Sequence, residues 1–340
     1  MPPAPPMTRA RWAVLAAGLP VVLALIAFGV HAWVNGTVVY LASQSQVGYS
    51  VGLSVPAAAG QARVTSSTGD LTVRPGPGRR IVVRGRLSGS FARPAFSYRS
   101  TAAGLALDPQ CRVPAGACSL NLGITVPAGL PVSASDSFGE LDASGLRGTV
   151  ALSDNSGDLT GSGLTGNVRL ADSFGTLTAS GLAGSLWLDN NSGDIQAAGI
   201  TGNTRLQDSF GTISVTGLAA ADVVARNNSG DISLTFTKVP RQVTVTDSFG
   251  DITLVLPPGS ATYRVATRNS FGSTTVSVPQ SPTARNVITA SNNSGNITII
   301  TQNDHTVAHA HPASSSPSAA QGAATSRVAW TARRTMRAYT

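Results

Sequence analysis

The stretch DSFGELDASGLRGTVALSDNSGDL, residues 136–159, repeats itself. Its opening cluster Asp136-Ser137-Phe138-Gly139 returns eighteen residues later as Asp154-Asn155-Ser156-Gly157, and then again with the Phe restored. Aligned on the turn glycine, the series runs Gly139, Gly157, Gly175, Gly193, Gly211, Gly230, Gly250, Gly272 and Gly295. The intervals are 18, 18, 18, 18, 19, 20, 22 and 23 residues. Self-similarity at such a period marks a stacked architecture.

Within each unit the pattern is that of short strands. After the turn glycine come one polar residue and then Leu141, Leu159, Leu177 or Ile195. Two further glycines follow, and then an alternating run such as Val150/Leu152, Val168/Leu170 or Leu186/Leu188. Period two means a strand with one buried face, which leaves Arg169 and Arg205 pointing to solvent. Eighteen residues with three glycine breaks hold no useful helix, and one such unit cannot cover its own apolar edge. Stacked at about 4.8 Å, each unit covers the next. The expected fold class is all-β, a single-chain β-solenoid of 18–23-residue repeats over residues 131–302.

The turns have their own chemistry. Asp136, Asp154, Asp172, Asp208 and Asp247 stand three residues before the glycine, and Asn190, Asn269 and Asn292 hold that place elsewhere. Asp and Asn bond nearby backbone and tolerate left-handed conformations; glycine reaches positive φ without steric cost. Together with Gly139, Gly157, Gly175, Gly193, Gly211, Gly230 and Gly250, these residues are expected to form a structural ladder along one edge. The residue before the glycine alternates Phe138, Ser156, Phe174, Ser192, Phe210, Ser229, Phe249, and then breaks with Phe271 before Ser294. One unit per coil would put a small residue above and below each Phe; two units per coil would put Phe and Ser on opposite edges. At the break, the stack is expected to end or change form.

The rest of the chain supplies an address. Residues 12–30, WAVLAAGLPVVLALIAFGV, carry no charge, and at 1.5 Å per residue they span about 28 Å, close to the hydrocarbon thickness. Arg9 and Arg11 precede the run and no charge follows until Arg63, so the N-terminus is expected inside and the remainder outside. The expected organisation is a cytoplasmic 1–11, a transmembrane helix over 12–34, a β lead-in and cap over 35–130, the solenoid, and a disordered tail over 303–340. Val30-His31-Ala32 leaves a cleaved signal peptide open as an alternative. Cys111 and Cys118 bracket RVPAGA; in an oxidising compartment they are expected to pair, with a metal site the weaker alternative.

The net charge of +8 is uneven. Residues 61–112 carry nine Arg and two Asp, whereas 131–302 carry nine basic and thirteen acidic residues. The basic character therefore belongs to the flanks. The cluster Arg74, Arg79, Arg80, Arg84 and Arg86 is either a solvated strand face or a contact for an anionic polymer or headgroup. Nucleic acid is not expected as a partner outside the cytoplasm.

The run of [DN]-[SN]-[FS]-G-[DET]-[LI] turns, the lead-in Ser67-Thr68-Gly69-Asp70-Leu71-Thr72-Val73 and the phrase Val126-Pro127-Ala128-Gly129 resemble the bacterial "putative adhesin" family of unknown function, the toast-rack type of extracytoplasmic β-solenoid. The resemblance implies fold and location, and defines no functional residues. It suggests a membrane-anchored, non-enzymatic adhesin-like binding or scaffold module whose partner is a cell-wall glycan, an anionic polymer or another envelope protein. Two alternatives stand beside it: an envelope-stress sensor working through a membrane partner, and a polysaccharide-active enzyme. For the enzyme, Asp158, Asp194, Asp231 and Asp251 follow the turn glycines and would have to supply acid and base. They belong to the consensus of the repeat, whereas a catalytic pair is normally an exception to one. No catalytic residue, cofactor or metal is expected; calcium on the Asp turns and metal on His305, His309 and His311 are minor alternatives.

Overall fold

The computed structural model describes residues 46–57, 60–66, 69–90, 95–101, 104–110 and 118–303. Within them the chain coils through two stacked sheets, of 13 and 12 strands. One coil shows the plan. Leu141–Ser144 lies in the first sheet and Arg147–Ser153 in the second, after a corner through Gly145 (φ 66°). The Asp154-to-Gly157 turn returns the chain to the first sheet at Leu159–Ser162.

Register settles how many units make a coil. Leu141 pairs with Leu159, Leu159 with Leu177, and Leu177 with Ile195, all in parallel strands. On the second sheet Val150, Val168, Leu186 and Thr204 form the facing column. One unit is therefore one coil, because a step of eighteen residues advances the chain by one strand spacing. Leu141, Leu159, Leu177, Ile195 and Ile213 are all fully buried, as are Leu170, Leu188 and Leu206 opposite them. Each contributes about 1.5–3 kcal/mol by burial. Thr204 interrupts a Val/Leu column without leaving its hydroxyl unsatisfied, because Oγ1 donates to the Gly202 carbonyl at 3.1 Å.

The coil preceding Val132 in space is not adjacent in sequence. It is made of Ala62–Thr65, which pairs with Val132–Ser135, and Asp70–Gly76, which pairs with Leu141–Ser144. Beyond it the first sheet turns antiparallel: Cys118–Pro127 pairs with Arg80–Ser90, which pairs with Gln46–Pro56. These strands close the end of the column, where an open edge would invite foreign strands. Arg84 and Arg86 point to solvent from this cap. Arg74 reaches Asp142 at 3.3 Å, and Arg80 donates to the Ser54 hydroxyl at 2.7 Å.

At the other end, chain order and spatial order part company. The last coil in sequence, Asn286–Ser294 with Ile297–Thr301, inserts between the coil of Gln242–Phe249 and that of Tyr263–Phe271. The reshaping expected where Phe271 follows Phe249 is this exchange. Among the described residues no helix is long and apolar enough to cross a membrane; the expected span over 12–34, Cys111 and the tail beyond 303 lie outside them.

Leu170 is 0 % exposed and sits mid-column. Leu170→Ala should lower the stability of the column by about 2–5 kcal/mol, read as a shift in the urea midpoint followed by circular dichroism.

Candidate functional site

The turn edge holds most of the residues singled out in the sequence, and it holds them for structural reasons. The turn glycines stack directly on one another. Gly157 donates its N–H to the Phe174 carbonyl at 3.1 Å, and Gly193 to that of Phe210 at 2.9 Å. Their φ values are 155° and 137°, and a Cβ on Gly175 would overlap the carbonyl oxygen of Gly157 in the coil below. Only glycine meets both demands. Gly139, Gly157, Gly175, Gly193, Gly211, Gly230 and Gly250 all share this overlap with the neighbouring coil.

The Asp and Asn residues three positions earlier lie inside the stack. Asp136, Asp154, Asp172, Asp208 and Asp247 are 1–5 % exposed. Oδ1 of each accepts the next residue's N–H, at 2.7 Å for Asp172 and 2.8 Å for Asp136. Oδ2 of each is buried without a partner. The Asn positions explain what that oxygen faces. Asn190 Nδ2 donates to the Gly175 carbonyl at 3.0 Å, and Asn227 and Asn292 donate to Gly211 and Gly250 at 2.7 Å. Asp172 Oδ2 and Asn190 Nδ2 occupy equivalent places, since a Cβ on each one's own turn glycine would stand 3.1 and 3.3 Å away. A protonated carboxyl presents an O–H where the amide presents an N–H, so the neutral acid completes the ladder and the ionised one does not. Burial pushes Asp136, Asp172 and Asp208 up to about 6, and raises Asp154 and Asp247.

The second acidic set caps backbone. Asp158 Oδ1 accepts the Thr176 N–H at 3.0 Å, Asp194 that of Thr212 at 2.9 Å, and Asp231 that of Asp251 at 2.8 Å. Each thus serves the coil above. No group of three or more His, Cys, Asp or Glu side chains among the described residues is placed to hold a metal ion.

A different arrangement lies on the outer face of the second sheet. Arg169, Trp187 and Arg205 stand eighteen residues apart and are register partners in adjacent strands. The Arg169 guanidinium packs 3.9 Å from the centre of the Trp187 ring, with Arg205 at 5.6 Å on the next strand. Asp189 lies 3.6 Å from Arg169. Asn167, Ser185 and Asn203 form the adjacent exposed row. Arg169, Trp187, Arg205 and this row line a shallow groove of about 640 Å³; the indole Nε1 itself is buried without a partner. The two arginines were legible as outward-facing; the tryptophan between them was not singled out, although the eighteen-residue column contains it.

Residues 121–306, more than half of the chain, match the family model described as Toastrack DUF4097. No curated protein matches significantly. Among solved structures, a "putative adhesin" from Parabacteroides distasonis aligns over 75 % of this chain and 97 % of its own, at 12 % identity and TM-score 0.40. One from Bacteroides fragilis covers 76 % and 99 %, at 12 % and 0.34. A "putative lipid binding protein" from Parabacteroides distasonis covers 74 % and 96 %, at 10 % and 0.27.

The raised carboxyls set a sign. A group at about 6 in the folded chain and near 3.8 in the unfolded one binds more protons when folded between those values. Stability is therefore fully present below about pH 4, falls as pH rises through about 6, and is flat above. The melting temperature should rise on going from pH 7.5 to 5, with Asp136, Asp172 and Asp208 each contributing on the order of 1 kcal/mol. Asp172→Asn should leave the protein at least as stable at pH 7.5 and flatten this dependence, both read by thermal melts across pH.

Proposed function

The chain belongs to the Toastrack DUF4097 family, and from that premise we propose that it is an adhesin-like, non-enzymatic binding module of the bacterial cell envelope. Residues 12–34 hold it to the membrane, and its solenoid stands on the extracytoplasmic side. The observation that carries the binding role is the cationic–aromatic groove of Arg169, Trp187 and Arg205. Stacked guanidinium and indole groups suit an anionic chain. The guanidinium offers planar donors to carboxylate or phosphate, and the exposed Asn/Ser row offers further polar contacts. The ligand class is an acidic polysaccharide or phosphate-bearing wall polymer.

The turn acids support the non-enzymatic side of this reading. Each candidate acid of the repeat is committed to a buried ladder or to a backbone cap, and none converges with a second carboxyl on a cleft.

The full-length chain should retain acidic wall polysaccharide in a pull-down that neutral glucans do not match. Trp187→Ala and Arg205→Ala should each weaken retention roughly tenfold or more, with unchanged circular dichroism; equal retention by both variants would remove the groove from the reading. Cell fractionation with protease added outside should find the solenoid membrane-associated and cleaved only in its exposed linkers.

A further inference from the structure

Five of the seven large hydrophobic side chains exposed among the described residues are one kind of residue at one kind of place. Phe138, Phe174, Phe210, Phe249 and Phe271, each 55–71 % exposed, all stand immediately before a turn glycine. In sequence their alternation with serine fails at the end, where Phe271 follows Phe249. In space it does not fail. The exchanged last coil puts Ser294 beside Phe249 on one side and Phe271 on the other. Phe174, Ser192, Phe210, Ser229 and Phe249 are likewise successive register partners. At the other end, the Gly69 N–H reaches the Phe138 carbonyl. Nine described turns thus alternate small and aromatic, in the stack order Phe138, Ser156, Phe174, Ser192, Phe210, Ser229, Phe249, Ser294, Phe271, and the Gly69 turn lies next beyond Phe138.

We infer that this edge is a self-complementary zipper that joins two copies of the chain side by side and antiparallel. This alternation, with the Gly69 turn beyond Phe138, has one consequence for such a pair. A two-fold axis between the Ser192 and Phe210 turns sets Phe138, Phe174, Phe210 and Phe249 of one copy each opposite a serine of the other. Phe210 then meets Ser192, Phe174 meets Ser229, Phe249 meets Ser156, Phe138 meets Ser294, and Phe271 meets the Gly69 turn. Successive rings of one copy are two coils apart, about 9.6 Å. A ring from the second copy between them sits about 4.8 Å from each along the rod, within the range of favourable aromatic pairs.

Charge agrees with this orientation. The residue after each turn glycine is acidic at Asp70, Glu140, Asp158, Asp194, Asp231 and Asp251, and neutral at Thr176, Thr212, Ser273 and Asn296. The same axis sets Asp70 opposite Ser273, Glu140 opposite Asn296, Asp194 opposite Thr212, and Asp231 opposite Thr176. Only Asp158 and Asp251 meet as like charges. A parallel pair would instead set every Phe on a Phe and every acid on itself. An acidic rim also disfavours an anionic lipid surface as the occupant. The exposed parts of the five rings amount to roughly 500 Å² per copy, so the pair buries about 1,000 Å² from the rings alone, the level a specific interface must clear. Antiparallel copies carry their N-terminal caps at opposite ends, which suits a contact between two facing surfaces.

The test is sedimentation velocity of the full-length chain across a concentration series, with cross-linking of mixed cysteine variants. Wild type should dimerise reversibly. Phe174→Ser with Phe210→Ser should shift the dissociation constant upward at least tenfold, with an unchanged melting temperature. Ser137 and Asn293 belong to turns seven coils apart, about 34 Å within one copy. A short bismaleimide should therefore join Ser137→Cys to Asn293→Cys only between antiparallel copies. A monomer at high micromolar concentration, a double variant that still pairs, or Ser137→Cys joined mainly to itself would each overturn the inference. So would a monomer whose rings are needed to bind phosphatidylcholine vesicles. A monomer that still retains wall polymer would sink the zipper and leave the binding module standing.

Discussion

The column depends on one close approach, that of each turn glycine to the peptide of the turn below it. With the glycines at positive φ, a side chain at that point would overlap the neighbouring carbonyl oxygen. Everything else in the coil follows from keeping that approach at one strand spacing. The Leu and Ile columns meet in register, the Asp and Asn side chains fall inside the turn, and the acids after the glycine reach the N–H of the next coil. A longer coil keeps its turn in register: Gly211 to Gly230 spans nineteen residues and Gly230 to Gly250 twenty, yet both pairs keep the same turn contacts. The irregularity is absorbed on the side away from the glycine, as in the register shift between Val215 and Leu218.

The buried Asp positions show how a polar group is tolerated in so tight a place. At Asn190, Asn227 and Asn292 the amide nitrogen donates to the glycine carbonyl of the coil below, and at Asn227 the amide oxygen also accepts the Asn228 N–H. An Asp meets the same surroundings with a second oxygen that has nothing to donate unless it keeps its proton. Leaving a buried acceptor unpaired is costly, and burial raises the pH at which the proton leaves. Asp and Asn are therefore near-equivalents here for a reason of hydrogen-bond polarity, not of size alone.

The repeat was legible because it is written in residue types with narrow conformational meaning. Glycine three residues after Asp or Asn, followed by an aliphatic two residues on, admits few backbones, and the period of eighteen marked a stack while leaving one or two units per coil open until the register decided it. The stack order was not legible. Ala62–Gly76 and the final coil pair with strands far away in sequence, and local pattern carries no information on which edge a coil joins. The break at Phe271 was visible as a break, but the exchange that repairs it is a tertiary event. The same limit hid the Trp187 stack. Alternation places a residue outward, whereas the ring contact with Arg169 needs neighbouring coils side by side.

The exchanged coil also bears on how the rod is made. Chain emerging from a ribosome or an export channel delivers Tyr263–Phe271 before Asn286–Ser294, yet the earlier strand finishes outermost and rests on the later one. A purely sequential build is therefore impossible at this end. Either Tyr263–Phe271 waits undocked, or it first settles on Gln242–Phe249, aromatic beside aromatic, and must then be displaced. Such a late, non-local rearrangement is slow compared with adding one coil to its chain neighbour. Maturation of the column is gated by its last forty residues, and a nascent chain halted short of residue 301 would carry an unfinished, sticky tip.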